Sequence, residues 1–411
     1  MSKKWITVVG LGEDGLDGLA PASRAAIDVA DVLVGGARHL SKVPAKAPGG
    51  NEIRIDWTDG FDAAFDAVEQ HSGKQVVVLA SGDPLNYGVG ANVVRRFGME
   101  PVTILPAPGA FSLAAARMGW PLADAKCLTV HGRPLSAVNL HLVAGQRLLI
   151  LSRDKDTPKE LAEVLTARGF GPSAMSVLAN MGGDEIRRDG TAADWNHAPA
   201  SDLNTIAVDC RAVDDADASA WSRVPGLPDD AFEHDGQITK REVRAATLSR
   251  LAPLPGRVLW DVGAGAGSVA IEWLRAEPSA KAFAIERDPV RAARIKRNAD
   301  TLGVPSLKIV EGEAPRVLSD IDLSPDVVFL GGGVSAPGLL EDCWQALGSD
   351  GRLVANAVTV EAEQALLQFH NEFGGDLTRL SISRTGPVGP KGGLQAFKPM
   401  MNVTQLVVEK K

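Results

Sequence analysis

Three glycines at alternate positions follow a hydrophobic run in the second half of the chain. Residues 258–267 read Val-Leu-Trp-Asp-Val-Gly-Ala-Gly-Ala-Gly, and the next apolar run ends at Glu286. Gly263, Gly265 and Gly267 permit a tight turn and a close backbone approach to a ligand. An acid about 20 residues further on can accept hydrogen bonds from both hydroxyls of a ribose. The pattern therefore predicts a nucleoside-binding turn, with a plain βα turn carrying surface glycines as the alternative.

The spacing of this motif favours a ligand without phosphates. A dinucleotide fold places its third glycine where helix and strand pack around a pyrophosphate, but Ser268 occupies that position and Gly267 comes one residue early. S-adenosylmethionine fits the pattern because it offers a ribose to Glu286. Its sulfonium and amino-acid tail would face the glycine turn and the acid expected at the mouth of that turn, Asp261.

A second glycine motif follows the first predicted strand. Gly10, Gly12 and Gly15 have the GxGxxG spacing, but Glu13 and Asp14 lie between them. Two carboxylates facing two phosphates are electrostatically unfavourable. The motif therefore argues against a dinucleotide in the first half of the chain.

The elements that must position these residues alternate between strands and helices, which predicts α/β domains with parallel sheets. At 411 residues the chain is long enough for two or three domains. Predicted strands of the first half are 6–9, 32–34, 76–80, 102–105, 128–130, 147–151, 176–179 and 205–208, with helices at 23–30 and 159–168. The pattern lapses between 211 and 228 into Asp, Ala, Ser and Pro, where we place a linker.

The second half opens with a predicted helix, Lys240–Leu251, for which Thr239 is the expected N-cap. Strands are predicted at 258–262, 282–286, 307–311, 326–330 and 351–355. Two further segments alternate with period two, 379–384 and 402–408, and predict a terminal antiparallel hairpin. Its connection, 385–401, is rich in Gly and Pro and is expected to form a binding lid.

Four segments of the first half together resemble the tetrapyrrole methyltransferase family, in its CbiE-type branch. They are Gly10 to Gly12, Ser81 to Pro84, Pro106 to Ser112, and His131 to Arg133. The resemblance covers about residues 4–210 and implies two α/β lobes, about 1–120 and 121–210, that clasp S-adenosylmethionine largely by backbone contacts. The residues it implies for the cofactor are Gly10, Gly82, Asp83, Pro84, Ala110, Phe111, Ser112, Asn180 and Thr205.

The second half, 229–411, resembles the CbiT-type decarboxylating precorrin methyltransferases. The likeness lies in 235–244, 261–267, 329–333 and 356–361. It implies a Rossmann-like class I methyltransferase domain and a second S-adenosylmethionine bound by Thr239, Gly263, Ala264, Gly265, Ala266, Gly267, Glu286 and Ala314. The two halves in this order resemble fused precorrin methyltransferases of cobalamin biosynthesis. Such an enzyme would methylate a reduced precorrin at carbons 5 and 15 and would remove a carboxylate from its ring-C acetate.

A substrate of that kind carries several carboxylates, whereas the chain has a net charge of −8. The interval 377–408 contains no Asp or Glu but four basic residues, Arg379, Arg384, Lys391 and Lys398. We expect Arg384 and Lys391 to bind substrate carboxylates, the alternative being a solvated basic edge strand. Further candidates for substrate binding are Lys240 and Arg244, which share a helix face, and Arg133, which follows a strand end.

The remaining observations bound the function class. The net charge disfavours a nucleic-acid binder. No run is apolar for about 18 residues and no signal-peptide core is found, so we expect a cytoplasmic protein. The three cysteines and seven histidines show no metal-ligand spacing, and no catalytic residue stands out. We expect a homo-oligomer, by resemblance. A nucleic-acid methyltransferase, and a cofactor-binding assembly module with one inactive half, remain as alternatives.

Overall fold

The computed structural model describes residues 4–46, 52–213, 222–388 and 393–410. They form two compact units: unit 1 takes in Met1–Arg133 and Leu142–Ser219, and unit 2 takes in Pro134–His141 and Ala220–Lys411. The predicted linker 211–228 includes residues outside the described ranges, so its bounds stay a prediction. Within the described ranges, no helix has the length and apolar character needed to cross a membrane.

The first lobe of unit 1 is a five-stranded parallel sheet with the order β3-β2-β4-β1-β5. The three inner strands, β1, β2 and β4, are almost entirely buried apolar runs, as expected for a sheet covered on both faces. The strands are β1 (Ile6–Leu11), β2 (Val32–Val34), β3 (Ile53–Ile55), β4 (Val76–Ser81) and β5 (Val102–Leu105). The helices are α1 (Pro21–Asp28), α2 (Ala37–Ser41), α3 (Phe61–Glu69), α4 (Gly90–Phe97) and α5 (Ala110–Met118). The parallel sheet predicted for this region is confirmed.

The second lobe contains a mixed sheet, so the parallel prediction is wrong there. Its elements are β6 (Ala125–Thr129), β7 (Arg147–Leu151), α6 (Thr157–Ala167), β8 (Ala174–Ala179), β9 (Ile186–Thr191) and β10 (Asn204–Asp209). The order is β6-β7-β10-β8-β9. β10 lies between β7 and β8 and runs antiparallel to both. β9 was not predicted because its polar, largely exposed residues carry no hydrophobic signal.

Unit 2 is built on a seven-stranded sheet with the order β13-β12-β11-β14-β15-β19-β16. Its first five strands are parallel. The strands of the sheet are β11 (Val258–Val262), β12 (Lys281–Glu286), β13 (Lys308–Glu311), β14 (Val327–Leu330), β15 (Arg352–Ala357), β16 (Asp376–Leu380) and β19 (Val403–Glu409). The helices are α7 (Arg241–Leu251), α8 (Ser268–Ala276), α9 (Pro289–Thr301), α10 (Leu339–Ala346) and α11 (Val360–Phe373). From β11 the strand order runs outward on one side through β12 to β13, and on the other side it continues with β14 and β15. The strand order thus reverses between β11 and β14, and ligands of such sheets bind in the crevice at this point.

The terminal antiparallel pair is confirmed, with different bounds. β16 pairs with β19, and β19 also pairs with β15. The connection expected as a loop instead contains two more strands, β17 (Ser383–Val388) and β18 (Leu394–Pro399), which form a two-stranded antiparallel ribbon. The predicted residue Lys391 lies outside the described residues.

Candidate cofactor sites

The glycine turn of unit 2 lies at the carboxyl end of β11, flanked by parallel β12 and β14. The amides of Gly263 and Ala264 donate hydrogen bonds to the carbonyl oxygen of Ile285, at 3.0 and 3.1 Å. A Cβ on Gly263 would lie 3.3 Å from the carbonyl oxygen of Gly332, in the turn after β14. Two glycine turns therefore meet at the reversal point of the sheet.

Each glycine of the turn is required by its backbone. Gly263, Gly265 and Gly267 have φ values of +72°, +59° and +74°, in the left-handed region that disfavours other residues. A Cβ on Gly265 would lie 2.9 Å from the carbonyl oxygen of Gln237, and one on Gly267 would lie 2.7 Å from Cγ2 of Ile295. The first contact brings the segment before α7 onto the turn, and the second packs the turn against α9. The βα turn predicted from the sequence is confirmed, and it is a backbone cradle.

Glu286 ends β12 beside this cradle. Its Oε2 accepts a hydrogen bond from the amide of Gly265 at 2.8 Å, and its Oε1 accepts one from the amide of Asp288 at 3.0 Å. The carboxylate is thus oriented from both sides at the place where a ribose was predicted. Contact with the cofactor stays a prediction.

The sequence predicts that Asp261 lies at the mouth of the turn, but its side chain is buried instead. It is 1% exposed, and its Oδ2 accepts a hydrogen bond from the amide of Ala270, in the first turn of α8, at 3.0 Å. Burial, with a smaller contribution from the charge of Glu286, raises the pKa of the Asp261 carboxyl to about 7. This side chain fixes the start of α8 under the turn.

The segment before α7 differs from its prediction. Thr239 is not the N-cap: Lys240 holds that position, and no side chain caps the helix. Lys240 is half-buried. Ala314, predicted to contact the second cofactor, is half-buried after β13 and packs against one of the hydrophobic cores of unit 2.

Arg244 is wrong as a candidate for an open pocket mouth, because it is fully buried. Its Nε donates to Oε1 of Glu272 at 2.6 Å, and its Nη1 donates to Oδ1 of Asp229 at 3.2 Å. It also donates to the carbonyl oxygens of Thr239 and Leu227. The guanidinium ties α7, α8 and the preceding segment together and has little left to offer a substrate.

The basic candidate Arg384 is half-exposed but engaged. Its Nη1 lies 3.1 Å from Oδ2 of Asp229, and its Nη2 donates to Glu242. These two carboxylates raise the pKa of the guanidinium further. A substrate carboxylate at this place would have to compete with both acids.

In unit 1, three loops converge on a few backbone atoms. A Cβ on Gly10 would lie 1.9 Å from the carbonyl oxygen of Gly82 and 2.6 Å from the amide nitrogen of Ala107. A Cβ on Gly82 would lie 2.8 Å from Cα of Gly109. β4 and β5 flank β1 in the sheet, so these loops all leave its carboxyl edge. Only glycine permits this convergence, and the predicted residues Gly10 and Gly82 are at its centre.

The other predicted residues of unit 1 surround this point through backbone more than through side chains. Asp83 accepts a hydrogen bond from the amide of Leu85 through Oδ1, at 3.0 Å, and so shapes the turn that contains Pro84. Ala110, Phe111 and Ser112 form the first turn of α5, where amides have no partner within the helix.

Structural contacts already engage the side chains of three predicted residues, Phe111, Asn180 and Thr205. Phe111 is 3% exposed and packs in the core of the second lobe. Asn180 has a φ of +52°, and its Oδ1 accepts a hydrogen bond from Ser201 Oγ at 2.9 Å. Thr205 is buried within β10. Any cofactor contact from Phe111 or Thr205 would have to come from the backbone.

The acid within the N-terminal glycine motif is paired internally. Glu13 forms ion pairs with Arg38 and with Lys42, the latter at 3.1 Å. Arg38 Nη2 and His39 Nε2 each lie 2.9 Å from Ser81 Oγ. Sequence reasoning did not find this cluster, because it joins β4, α2 and the first loop across more than 40 residues. The Arg133 guanidinium, a predicted substrate contact, lies 5.3 Å from the ring centroid of Tyr87.

The folds and the two glycine cradles define the class. Unit 2 has the strand order of a class I methyltransferase, and unit 1 has the two α/β lobes expected of a tetrapyrrole methyltransferase. The chain is an S-adenosylmethionine-dependent methyltransferase.

Comparison with known proteins identifies the family. Residues 6–194 match the family model of tetrapyrrole (corrin/porphyrin) methylases, and residues 230–410 match that of the precorrin methyltransferase domain. A precorrin-6Y C(5,15)-methyltransferase [decarboxylating] of Sinorhizobium is 46% identical over 98% of this chain and 95% of its own length. One of Mycobacterium tuberculosis is 43% identical over 99% of this chain and 100% of its own. The solved C-terminal domain of the Rhodobacter capsulatus enzyme is 41% identical, with a TM-score of 0.43 over 46% of this chain and 100% of that one. The chain belongs to the family of decarboxylating precorrin-6Y C(5,15)-methyltransferases.

Proposed function

We propose that the chain is a bifunctional C-methyltransferase of cobalamin biosynthesis that binds one S-adenosylmethionine in each unit. Unit 1 would methylate carbon 5 of a reduced precorrin. Unit 2 would methylate carbon 15 and release the ring-C acetate carboxylate as carbon dioxide. The observation that carries the proposal is the presence of a glycine-dependent backbone cradle at the carboxyl edge of a parallel sheet in each unit.

The residues of unit 2 fit the cofactor. Glu286 uses one acceptor site on each oxygen for Gly265 and Asp288, and a carboxylate offers about four such sites. It can therefore accept ribose hydroxyls without losing its present partners. The Gly263–Gly267 backbone would approach the amino-acid tail, and Thr239 and Ala314 lie on flanking segments. When bound, S-adenosylmethionine supplies a methyl group activated by a positively charged sulfur.

The residues of unit 1 fit the cofactor in a different way. The close packing of Gly10, Gly82 and Ala107 leaves amides and carbonyls, not side chains, to line the convergence. Asp83, Pro84 and the first turn of α5 flank it. Arg38 and Lys42 are already paired with Glu13, so their positive charge is not free to bind a pyrophosphate. This favours a nucleoside without phosphates.

The chemistry asks mainly for positioning. An electron-rich carbon of the reduced tetrapyrrole would form the new carbon–carbon bond with its own electron pair while the bond between the methyl group and sulfur breaks and leaves its electrons on sulfur, so a strong base is not required. Holding that carbon in line with the methyl group, in a pocket from which water is excluded, supplies much of the acceleration. In the decarboxylation, the electron pair of the broken bond enters the macrocycle, which then takes up a proton.

Family membership favours a tetrapyrrole over a nucleic acid as the substrate, in line with the net charge of −8. We propose a homo-oligomer as the working form. Arg133, Lys240, Arg384 and Lys391 remain the proposed contacts for substrate carboxylates, and Arg384 requires the exchange of partners described above.

Incubation of the full chain with S-adenosylmethionine and a reduced precorrin, followed by mass spectrometry, tests the proposal. The expected product has gained two methyl groups and lost one carbon dioxide. Calorimetric titration with S-adenosylmethionine should show two sites per chain. A single site, or a product with one added methyl group, would contradict the bifunctional assignment.

Matched variants assign each reaction to its unit. Gly82→Ala would force the loops of unit 1 apart and should abolish methylation at carbon 5 alone. Glu286→Gln should weaken methylation at carbon 15 alone. Equal loss of both methylations in either variant would contradict the division of labour.

A further inference from the structure

A half-exposed aromatic ring lies beside the convergence of loops in unit 1. Tyr87 is the single tyrosine of the chain and is 52% exposed. It follows the Asp83–Pro84 turn and precedes α4. Neither the cofactor motifs nor the family resemblance of the sequence singled it out.

The backbone of Tyr87 is held in an unfavourable conformation. Its φ is +59°, a value rare for a bulky residue, and such strain persists only where the surroundings enforce it. The enforcement comes from the tight loop around Pro84: the Gly90 amide donates to the Pro84 carbonyl at 2.9 Å, and a Cβ on Gly88 would lie 2.6 Å from the same oxygen. The loop therefore presents the Tyr87 ring in a fixed position.

Two contacts fix the ring itself. It makes a T-shaped contact with Phe111, in the first turn of α5, with ring centroids 6.1 Å apart and an interplanar angle of 70°. The Arg133 guanidinium lies 5.3 Å from the ring centroid. Phe111 is in the core and belongs to the segment proposed for the cofactor, so the ring stands next to that segment.

Arg133 is an exposed residue of a tight turn after β6. Within the described ranges it has no carboxylate partner at ion-pair distance. Other exposed arginines of unit 1, such as Arg117 and Arg153, do have such partners. A guanidinium that rests on an aromatic face keeps its N–H edge available for a bidentate hydrogen bond to a carboxylate.

We infer that Tyr87 and Arg133 form the receptor of unit 1 for a flat, acid-bearing macrocycle. The exposed surface of the Tyr87 ring packs against the macrocycle, and Arg133 binds one peripheral carboxylate. The pair thereby sets which edge of the substrate faces the cofactor segment. This inference rests on the proposed function: it adds Tyr87 as a specificity-determining residue and gives Arg133, already proposed as a carboxylate contact, a place beside the ring.

The kinetic test uses the full chain and follows methylation at each carbon separately. Arg133→Ala should raise the KM of carbon-5 methylation about tenfold, with no change in S-adenosylmethionine affinity or in carbon-15 methylation. Arg133→Lys should recover only part of the loss, because an ammonium lacks the planar fork. Tyr87→Ala should raise the same KM, whereas Tyr87→Phe keeps the ring and should resemble the original chain.

Arg188→Ala is the matched control, since Arg188 is an exposed arginine on β9, at the edge of the sheet opposite β6. Its KM should be unchanged. If the original chain methylates carbon 5 and neither Arg133→Ala nor Tyr87→Ala alters the KM, the receptor is overturned. If the original chain does not methylate carbon 5, the proposed function itself fails.

A direct readout follows from the single tyrosine. Incorporation of 3-fluorotyrosine should give one fluorine resonance, which should shift when a reduced precorrin is added. An unchanged resonance at saturating precorrin would overturn the contact between Tyr87 and the substrate.

Discussion

Glu286 and Gly265 are joined by a hydrogen bond of 2.8 Å from the glycine amide to the carboxylate Oε2. The bond ties the end of β12 to the turn after β11. It orients an acid that is 4% exposed, so the geometry needed by a ribose exists before any ligand binds. Preorganisation of this kind lowers the entropic cost of binding.

Replacing Glu286 by Gln tests this role. The amide oxygen can still accept from Gly265, but the charge that strengthens hydrogen bonds from ribose hydroxyls is lost. We expect S-adenosylmethionine to bind unit 2 about tenfold more weakly, with binding to unit 1 unchanged, as measured by calorimetry. Glu409→Gln is the control and should not change either affinity. Glu409 pairs with Arg352 at the start of β15, so it lies at the amino ends of the parallel strands, away from the glycine turn. Equal affinity in Glu286→Gln and the original chain would exclude the ribose contact.

Gly267→Ala should destabilise unit 2 more than its backbone angle alone explains. The added Cβ would lie 2.7 Å from Ile295 Cγ2 in addition to adopting a φ of +74°. Gly256 has nearly the same φ, +75°, with no atom within 4 Å of its Cβ, and so isolates the cost of the angle. We expect about 1 kcal/mol for Gly256→Ala and a further 1–3 kcal/mol, roughly, for Gly267→Ala.

Native-state hydrogen exchange of amides in α8 and β11 measures both losses within the full chain. If the two variants lose the same free energy, the packing of the turn against α9 has no energetic weight.

Arg244→Ala should act on stability and not on substrate recognition. It leaves the buried carboxylate of Glu272 without its charged partner, and removal of one member of a buried ion pair costs about 3–5 kcal/mol. Lys240→Ala, at the N-cap of α7, is the comparison: it should change stability little and raise the KM for the precorrin. A folded Arg244→Ala protein of normal stability with a raised KM would restore Arg244 as a substrate contact.

Local chemistry explains which parts of the site the sequence predicted. The turn at 263–267 follows from its three glycines, which tolerate positive φ angles, and the acid at 286 follows from strand periodicity. Both signals are visible in a short window of sequence. The two strand ends are brought together by one βαβ unit, so their pairing is nearly local as well.

Long-range partners explain what the sequence did not predict. Arg244 is buried because Glu272 lies 28 residues away and Asp229 lies 15 residues before it, and no helical periodicity reports such a network. The mixed sheet of the second lobe arises because β10 lies between β7 and β8. The position of β10 in the sheet depends on tertiary packing and is not visible in the sequence of any one strand. Arg384 was expected to be free because its segment lacks acids, but its partners come from α7 and from the segment before it.

His39 predicts a loss of stability in mild acid. Burial, with a smaller contribution from Arg38 and Lys42, lowers its pKa from 6.5 to about 4, against the opposing effect of Glu13. The unfolded chain therefore binds a proton in the window between these values and the folded chain does not. Stability is complete above pH 6.5 and falls as the pH is lowered toward 4, by about 3 kcal/mol at most.

The His39→Gln variant should remove this part of the pH dependence, because an amide at the same place does not titrate and can still bond to Ser81. The measurement is hydrogen exchange or denaturant unfolding of unit 1 at a series of pH values from 7 down to about 4. His131→Gln, at an exposed position of the same unit, is the control and should keep the slope of the original chain. If His39→Gln shows that same slope, the buried His39 imidazole does not cause the loss of stability of unit 1 in mild acid.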